Sequence, residues 1–227
     1  MYNIKMKNRY VVWGKVGLSL SFFFLIAGCG SSSKQTKQEG IKQEQQTPSR
    51  TLLSEISGST LAYLKYNKFI HLGESAQTIL SLFPKPEGAV AISTLPPSLS
   101  PPLVANGWDA ENESLGIISE DDKVILMMHT YNQVNDHKIE ETYTRYLKHF
   151  KRPTQELSGL HSKYWFWDSG STRLMIASSI DSKGVHNLTI AFGVHSVMDR
   201  LRMDPKDAKE DQTKAAQLLE KNKNLKK

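Results

Sequence analysis

Three groups of residues have types and spacings that chemistry could use. Cys29 is the only cysteine among 227 residues, and it directly follows Leu25-Ile26-Ala27-Gly28. A thiolate beside small residues suits alkylation on sulfur and fits a narrow processing cleft. Asp168 opens Asp168-Ser169-Gly170-Ser171 at the end of the aromatic run Tyr164-Trp165-Phe166-Trp167. Hydrolysis by a pair of carboxylates that share one proton would need a second carboxylate beside it. The matching position in the first half reads Asp109-Ala110-Glu111, without the small residues, and only 25 residues separate Asp168 from Ala191-Phe192-Gly193. Ser and Gly after Asp are also what a hairpin turn prefers, which is the reading adopted. The seven histidines, His71, His129, His137, His149, His161, His186 and His195, form neither His-x-His nor His-Glu-x-x-His. No metal site is therefore expected. No Gly-x-Ser-x-Gly elbow, phosphate-cradling glycine loop or dinucleotide fingerprint occurs, so no catalytic residue and no cofactor is assigned. The aromatic run places rings on both faces of one strand. One face must lie under another layer such as the C-terminal helix, or serve as a recognition surface. Tyr164, Trp165, Phe166 and Trp167, with Trp108 and the Pro-rich loop Leu95–Trp108, are the expected binding residues.

The elements that position these groups begin with an address. Lys5, Lys7, Arg9 and Lys15 precede an apolar stretch from Val16 to Ile26, then small Ala27 and Gly28. This is the layout of a secretory signal. With Cys29 it resembles the lipobox of bacterial lipoproteins. The resemblance implies lipidation of Cys29, cleavage before it, and a membrane anchor through the N-terminal lipid. With Gly30 rather than Asp next, it implies the outer membrane in an organism with two membranes. Residues 30–50 are rich in Ser, Gln, Lys and Glu, with Ile41 the one large apolar side chain, and read as a tether. The expected division is a signal over 1–28, a tether over 29–50, an α+β body over 51–203, and a C-terminal helix with a basic tail over 204–227.

Within the body, Ala76, Ile79, Leu80 and Phe83 mark one helix, capped from Gly73 or Ser75 and stopped by Pro84. Ile139, Tyr143, Leu147 and Phe150 mark a second, with Asp136 as the expected N-cap and Pro153 beyond its end. Val124–Tyr131 is apolar on both faces and reads as a central strand. Leu174, Ile176 and Ile180, and Leu188, Ile190 and Phe192, mark two further strands. Asp204-Pro205 opens a last helix.

The order repeats. Leu80-x-x-Phe83-x-x-Pro86 returns as Leu147-x-x-Phe150-x-x-Pro153. Trp108-Asp109, with Leu115 and Ile117, returns as Trp167-Asp168, with Leu174 and Ile176. The expected body is two similar units, about 66–135 and 136–195, each an amphipathic helix packed on antiparallel strands. Such a unit resembles the SmpA/OmlA (BamE-like) lipoproteins, and in tandem the β-lactamase-inhibitor-protein-like fold. Here Gly88–Gly107 makes the first unit's loop longer than in that family. The resemblance implies a non-catalytic module that binds another envelope protein. The alternatives are an aspartic-protease-like hydrolase using Asp168, whose Asp-Ser-Gly-Ser resembles that family's signature, and a small-molecule or lipid carrier.

Charge narrows the partners. The net charge is +6, but residues 1–28 carry +4, residues 29–50 carry +2, residues 51–199 carry −4 and residues 200–227 carry +4. The basic excess sits at the ends, whereas a nucleic-acid binder places it on the folded body, so no nucleic-acid partner is expected. Asn112-Glu113-Ser114 and Asn187-Leu188-Thr189 fit the glycosylation pattern but are discounted for a bacterial address.

Overall fold

A computed structural model describes residues 51–181 and 184–224. Cys29 and the expected signal and tether lie outside the described residues. The fold is α+β. Eight antiparallel strands form one sheet: β3 (Val90–Ile92), β4 (Val104–Asp109), β5 (Glu113–Glu120), β6 (Lys123–Val134), β7 (Gln155–Ser158), β8 (Ser162–Ser169), β9 (Thr172–Ile180) and β10 (His186–Val194). Their order across the sheet is β3-β4-β5-β6-β10-β9-β8-β7. Ahead of them, β1 (Tyr63–Lys65) and β2 (Lys68–Ile70) make a separate hairpin. Helices α1 (Ala76–Leu82), α2 (Asp136–Phe150), α3 (His195–Arg200) and α4 (Pro205–Asn224) complete the order.

The sheet runs outward in both directions from the β6–β10 pair. Residues 124–128 of β6 are all buried, as the unbroken apolar run predicts for a strand covered on both faces. One row of side chains crosses the sheet through Trp108, Leu115, His129, Ile190, Ile176 and Trp165. Residues directly opposite one another share a face. On this face Tyr143 of α2 stacks on Trp165, with ring centroids 4.7 Å apart, and Tyr146 lies against Trp167. The other face carries Arg173, Phe166 and Tyr164. Arg173 bonds Asp199 of α3, and α4 packs on β7 and β8. Gly193 of β10 leaves room where a Cβ would overlap the Leu126 side chain of β6, so the central strands approach closely.

Local chemistry explains the element ends. The turn Asp121-Asp122 joins β5 to β6 with φ of 48° and 61°, the pair of left-handed residues a two-residue hairpin needs. The same turn seats α1: the Ala76 amide donates to the Asp122 carbonyl at 2.8 Å, and the Ser75 hydroxyl donates to the Asp122 carboxylate at 2.7 Å. Between β8 and β9, Gly170 (φ 59°) and Ser171 form the loop, so Asp-Ser-Gly-Ser is hairpin chemistry. One expected cap is corrected. Asn135, not Asp136, caps α2, because Asn135 is extended and its side chain accepts from the Lys138 amide at 2.9 Å. Asp136 instead pairs with His186 at 3.0 Å. Asp204 caps α4 as expected, accepting from the Lys206 and Asp207 amides.

The β1–β2 hairpin is tied to α2 by one buried bond, from the Leu64 amide to the Tyr146 hydroxyl at 2.9 Å. Tyr146→Phe removes the acceptor and strands a buried amide donor, which costs about 1–3 kcal/mol. Urea unfolding should show that loss; an unchanged midpoint would mean the hairpin is held by other contacts.

Candidate functional site

The structure places the expected binding residues inside the body. Tyr164, Trp165, Phe166, Trp167 and Trp108 are all buried. The reason is layering. Trp165 and Trp167 lie under α2, while Tyr164 and Phe166 face the side covered by α3 and α4. Two of the three tryptophans expected to bind a partner give their indole N–H groups to the chain itself. The Trp108 indole donates to the Phe83 carbonyl and the Trp167 indole to the Lys151 carbonyl, each at 3.1 Å. The loop from Leu95 onward is also pinned down, with Pro96, Leu99 and Leu103 buried.

Asp168 sits in a polar cluster on the α3–α4 side. Its Oδ1 accepts from Arg173 Nε and from His195 Nε2, both at 2.9 Å, and its Oδ2 accepts from the Thr154 hydroxyl at 2.8 Å. Arg173 also donates to Asp199 at 2.9 Å. Partial burial works to raise the Asp168 pKa. The Thr154 hydrogen bond, the Arg173 guanidinium and His195 outweigh it and hold the carboxyl below its usual range. The cluster borders an open groove of about 570 Å³ lined by Gln155, Arg173, Asp199, Asp204, Lys206 and Lys209. Asp109 cannot complete a carboxylate pair with Asp168. It lies on β4, five strand positions from β8, and at about 4.8 Å per strand that is about 24 Å.

A second cluster escaped the sequence reading. His129 is buried on β6 between Glu113 of β5 and Tyr63 of β1. Its Nε2 lies 2.5 Å from Glu113 Oε1 and its Nδ1 2.6 Å from the Tyr63 hydroxyl. An ionised Glu113 can only accept, so Nε2 carries the proton and Nδ1 accepts from Tyr63. Phe83, Trp108 and Tyr131 ring the imidazole, Tyr131 at 4.3 Å between centroids. The hydrogen bond from His129 lowers the Glu113 pKa against the effect of burial. Burial lowers the His129 pKa, and Glu113 only partly opposes it. Burial also pushes the Tyr63 hydroxyl well up, which keeps its proton in place to donate to His129 Nδ1. No sequence spacing announces this trio, because Tyr63 and His129 stand 66 residues apart.

The exposed aromatic side chains lie elsewhere. Tyr66, at the tip of the β1–β2 hairpin, is 84% exposed, and Phe69 is 48% exposed with its ring edge against His149. Lys65 holds the other side of the hairpin, donating to the Leu82 carbonyl with its ammonium 3.4 Å from the Phe83 ring centroid. Among the described residues no group of three or more His, Cys, Asp or Glu could hold a metal ion, and no helix is long and apolar enough to cross a membrane.

The His129 trio makes stability pH-dependent. The folded-state pKa of His129 is lowered, so below about pH 6.5 the unfolded chain takes up a proton that the folded protein refuses. Stability therefore falls as pH drops from about 6.5. Glu113 adds a loss of the same sign below about pH 4.5, since its folded pKa is also lowered. His129→Gln should cost about 1–3 kcal/mol at pH 7.5, and its deficit against the parent should shrink toward pH 5.5. The other histidines are common to both proteins and cancel in the difference. Parallel stability–pH curves would contradict the assignment.

No protein-family model and no curated protein matches the chain. Among solved structures, one described as a cysteine-rich secretory protein from Staphylococcus aureus subsp. aureus Mu50 is similar at 11% identity, with a TM-score of 0.31. The match covers 56% of this chain and 46% of that one, so the chain spans less than half of that protein, and a likeness this distant carries no functional argument.

Proposed function

We propose that the chain is a lipid-anchored protein of a bacterial cell envelope whose folded body holds another envelope protein and performs no catalysis. One observation carries the reading. The single cysteine stands directly behind a basic, apolar and small-residue leader, at the position where lipoproteins are modified. Several acyl chains, at about 0.8 kcal/mol per buried methylene, make a stable anchor. Gly30 after the cysteine favours the outer membrane where two membranes exist.

The engagement of Asp168 supports binding over hydrolysis. Its oxygens are occupied by Arg173, His195 and Thr154, and its charge is held on, the opposite of a carboxyl kept ready to share a proton. The mixed charges of the neighbouring groove, Asp199, Asp204, Lys206 and Lys209, suit a polar protein rim.

The body consists of two related units, each a helix followed by four strands. Support comes from the matching order α1-β3-β4-β5-β6 and α2-β7-β8-β9-β10, and from the mirrored strand order about β6–β10. It comes also from the two indoles, each donating to the C-cap carbonyl of its own unit's helix. Superposing residues 74–131 on 137–193 in an experimental structure tests this, and a different path of elements would refute it.

Cys29→Ser should abolish incorporation of labelled palmitate and release the protein from the membrane fraction; retained labelling and unchanged processing would overturn the anchor. A photoreactive residue at Lys206 should capture an envelope protein from intact membranes. Recovery of the bait alone, with peptide hydrolysis that Asp168→Asn abolishes, would reverse the reading in favour of an enzyme.

A further inference from the structure

We infer that the β1–β2 hairpin is a membrane-contact element, which lays Tyr66 and Phe69 into the headgroup region of an anionic bilayer. The inference rests on the lipid-anchor reading and extends it by assigning the face turned to the membrane.

Four observations lead there. First, the hairpin exposes Tyr66 and Phe69, with Tyr63 turned into the core, while the aromatic run Tyr164–Trp167 is buried. Tyr66 is 84% exposed, and it holds φ 52°, a conformation rare for a bulky residue and costly to keep. Second, the hairpin is held rather than loose. Tyr63 bonds His129, Leu64 bonds Tyr146, Lys65 caps the end of α1, and Phe69 meets His149. Ordering the tip therefore costs little on contact. Third, the charge around it is basic. Lys68 is exposed on the hairpin itself, and Lys148 and Lys151 are exposed at the end of α2 that meets Phe69 through His149. None of the ion pairs among the described residues engages these three lysines. Amphipathic rings beside lysines are the composition of the membrane interface, and each lysine near an anionic surface adds attraction.

The fourth observation is geometric. The hairpin lies on the α1–α2 side of the sheet, since Tyr63 reaches His129 in the row that α2 covers at Trp165. The groove at Asp199 and Lys206 lies on the opposite side, with Arg173. A body resting on its hairpin would present the groove away from the bilayer, toward a partner. The 21 residues between Cys29 and Thr51 can span at most about 75–80 Å, enough for the body to turn either face down. Because the anchor already confines the body near the surface, a weak contact suffices.

The test uses the full chain reconstituted in vesicles of phosphatidylcholine and phosphatidylglycerol at about 3:1, a composition chosen for its anionic surface. Benzoylphenylalanine is placed at Tyr66, or at Leu160 as an exposed control on the β7–β8 turn, and photo-adducts are read by mass spectrometry of the peptides. Lipid adducts should form at Tyr66 and not at Leu160. Lys68→Ala combined with Lys148→Ala should lower the yield at Tyr66 by about fivefold or more. Equal lipid adducts at both sites, adducts only to protein, or no adduct at Tyr66 would each overturn the inference. The anchor is read separately from the acylation of the Cys29 peptide in the same sample. A bare Cys29 with lipid adducts at Tyr66 refutes the anchor alone, and an acylated Cys29 without them refutes the hairpin contact alone.

Discussion

The pairing of β6 with β10 is the joint on which the rest of the molecule depends. Through it β3 to β5 on one side and β7 to β9 on the other become one sheet. The pair is buried on both faces along most of its length, and a hydrogen bond between Thr130 and Thr189 at 3.1 Å satisfies the polar groups that face each other across it. A strand pair in the middle of an eight-stranded sheet must be covered twice. α1, α2 and the β1–β2 hairpin supply one layer, and α3 and α4 contribute to the other. The need for two layers explains why the aromatic strand β8 is buried despite carrying rings on both sides. It also explains where polar chemistry can gather: at the rim where α3 and α4 meet the sheet, and at the hairpin that closes the opposite layer.

The buried His129 fits this account. A neutral imidazole has one donor and one acceptor, and here each has its partner, so the ring can sit in the core without an unpaired polar atom. The bond to Tyr63 is also a bond between the sheet and the hairpin. The hairpin is thus positioned by core chemistry at His129 and Tyr63, three residues before Tyr66, the most exposed aromatic residue among those described. Asp168 plays a comparable role across the sheet. It joins the β8–β9 hairpin, the start of α3 and Thr154 just before β7 through three hydrogen bonds.

Much of the fold was legible in the sequence. The apolar run at Val124–Tyr131 marked the central strand, the stripes at Ala76–Phe83 and Ile139–Phe150 marked two helices, and Asp204-Pro205 marked the start of α4. What was missed has physical causes. β1, β2, β3 and β7 are three or four residues long, too short for a period of two to stand out. The rings of β8 announced that both faces were apolar, but which layers cover them is settled by contacts with Tyr143 and with α4, far away in sequence. The His129 trio joins residues from three strands, so no motif could carry it. The exposed tip was hidden for the opposite reason, because Tyr66-Asn67 is an unremarkable pair until the backbone turns there.

The most direct test of this architecture is native-state hydrogen exchange, read residue by residue. If the β6–β10 joint makes the sheet one cooperative body, the amides of Leu126, Met128, Ile190 and Phe192 should exchange only through global unfolding. The inner strands β5 and β9 should share that same free energy. Exchange of β4 to β6 through a separate, cheaper opening that leaves β8 to β10 protected would contradict it.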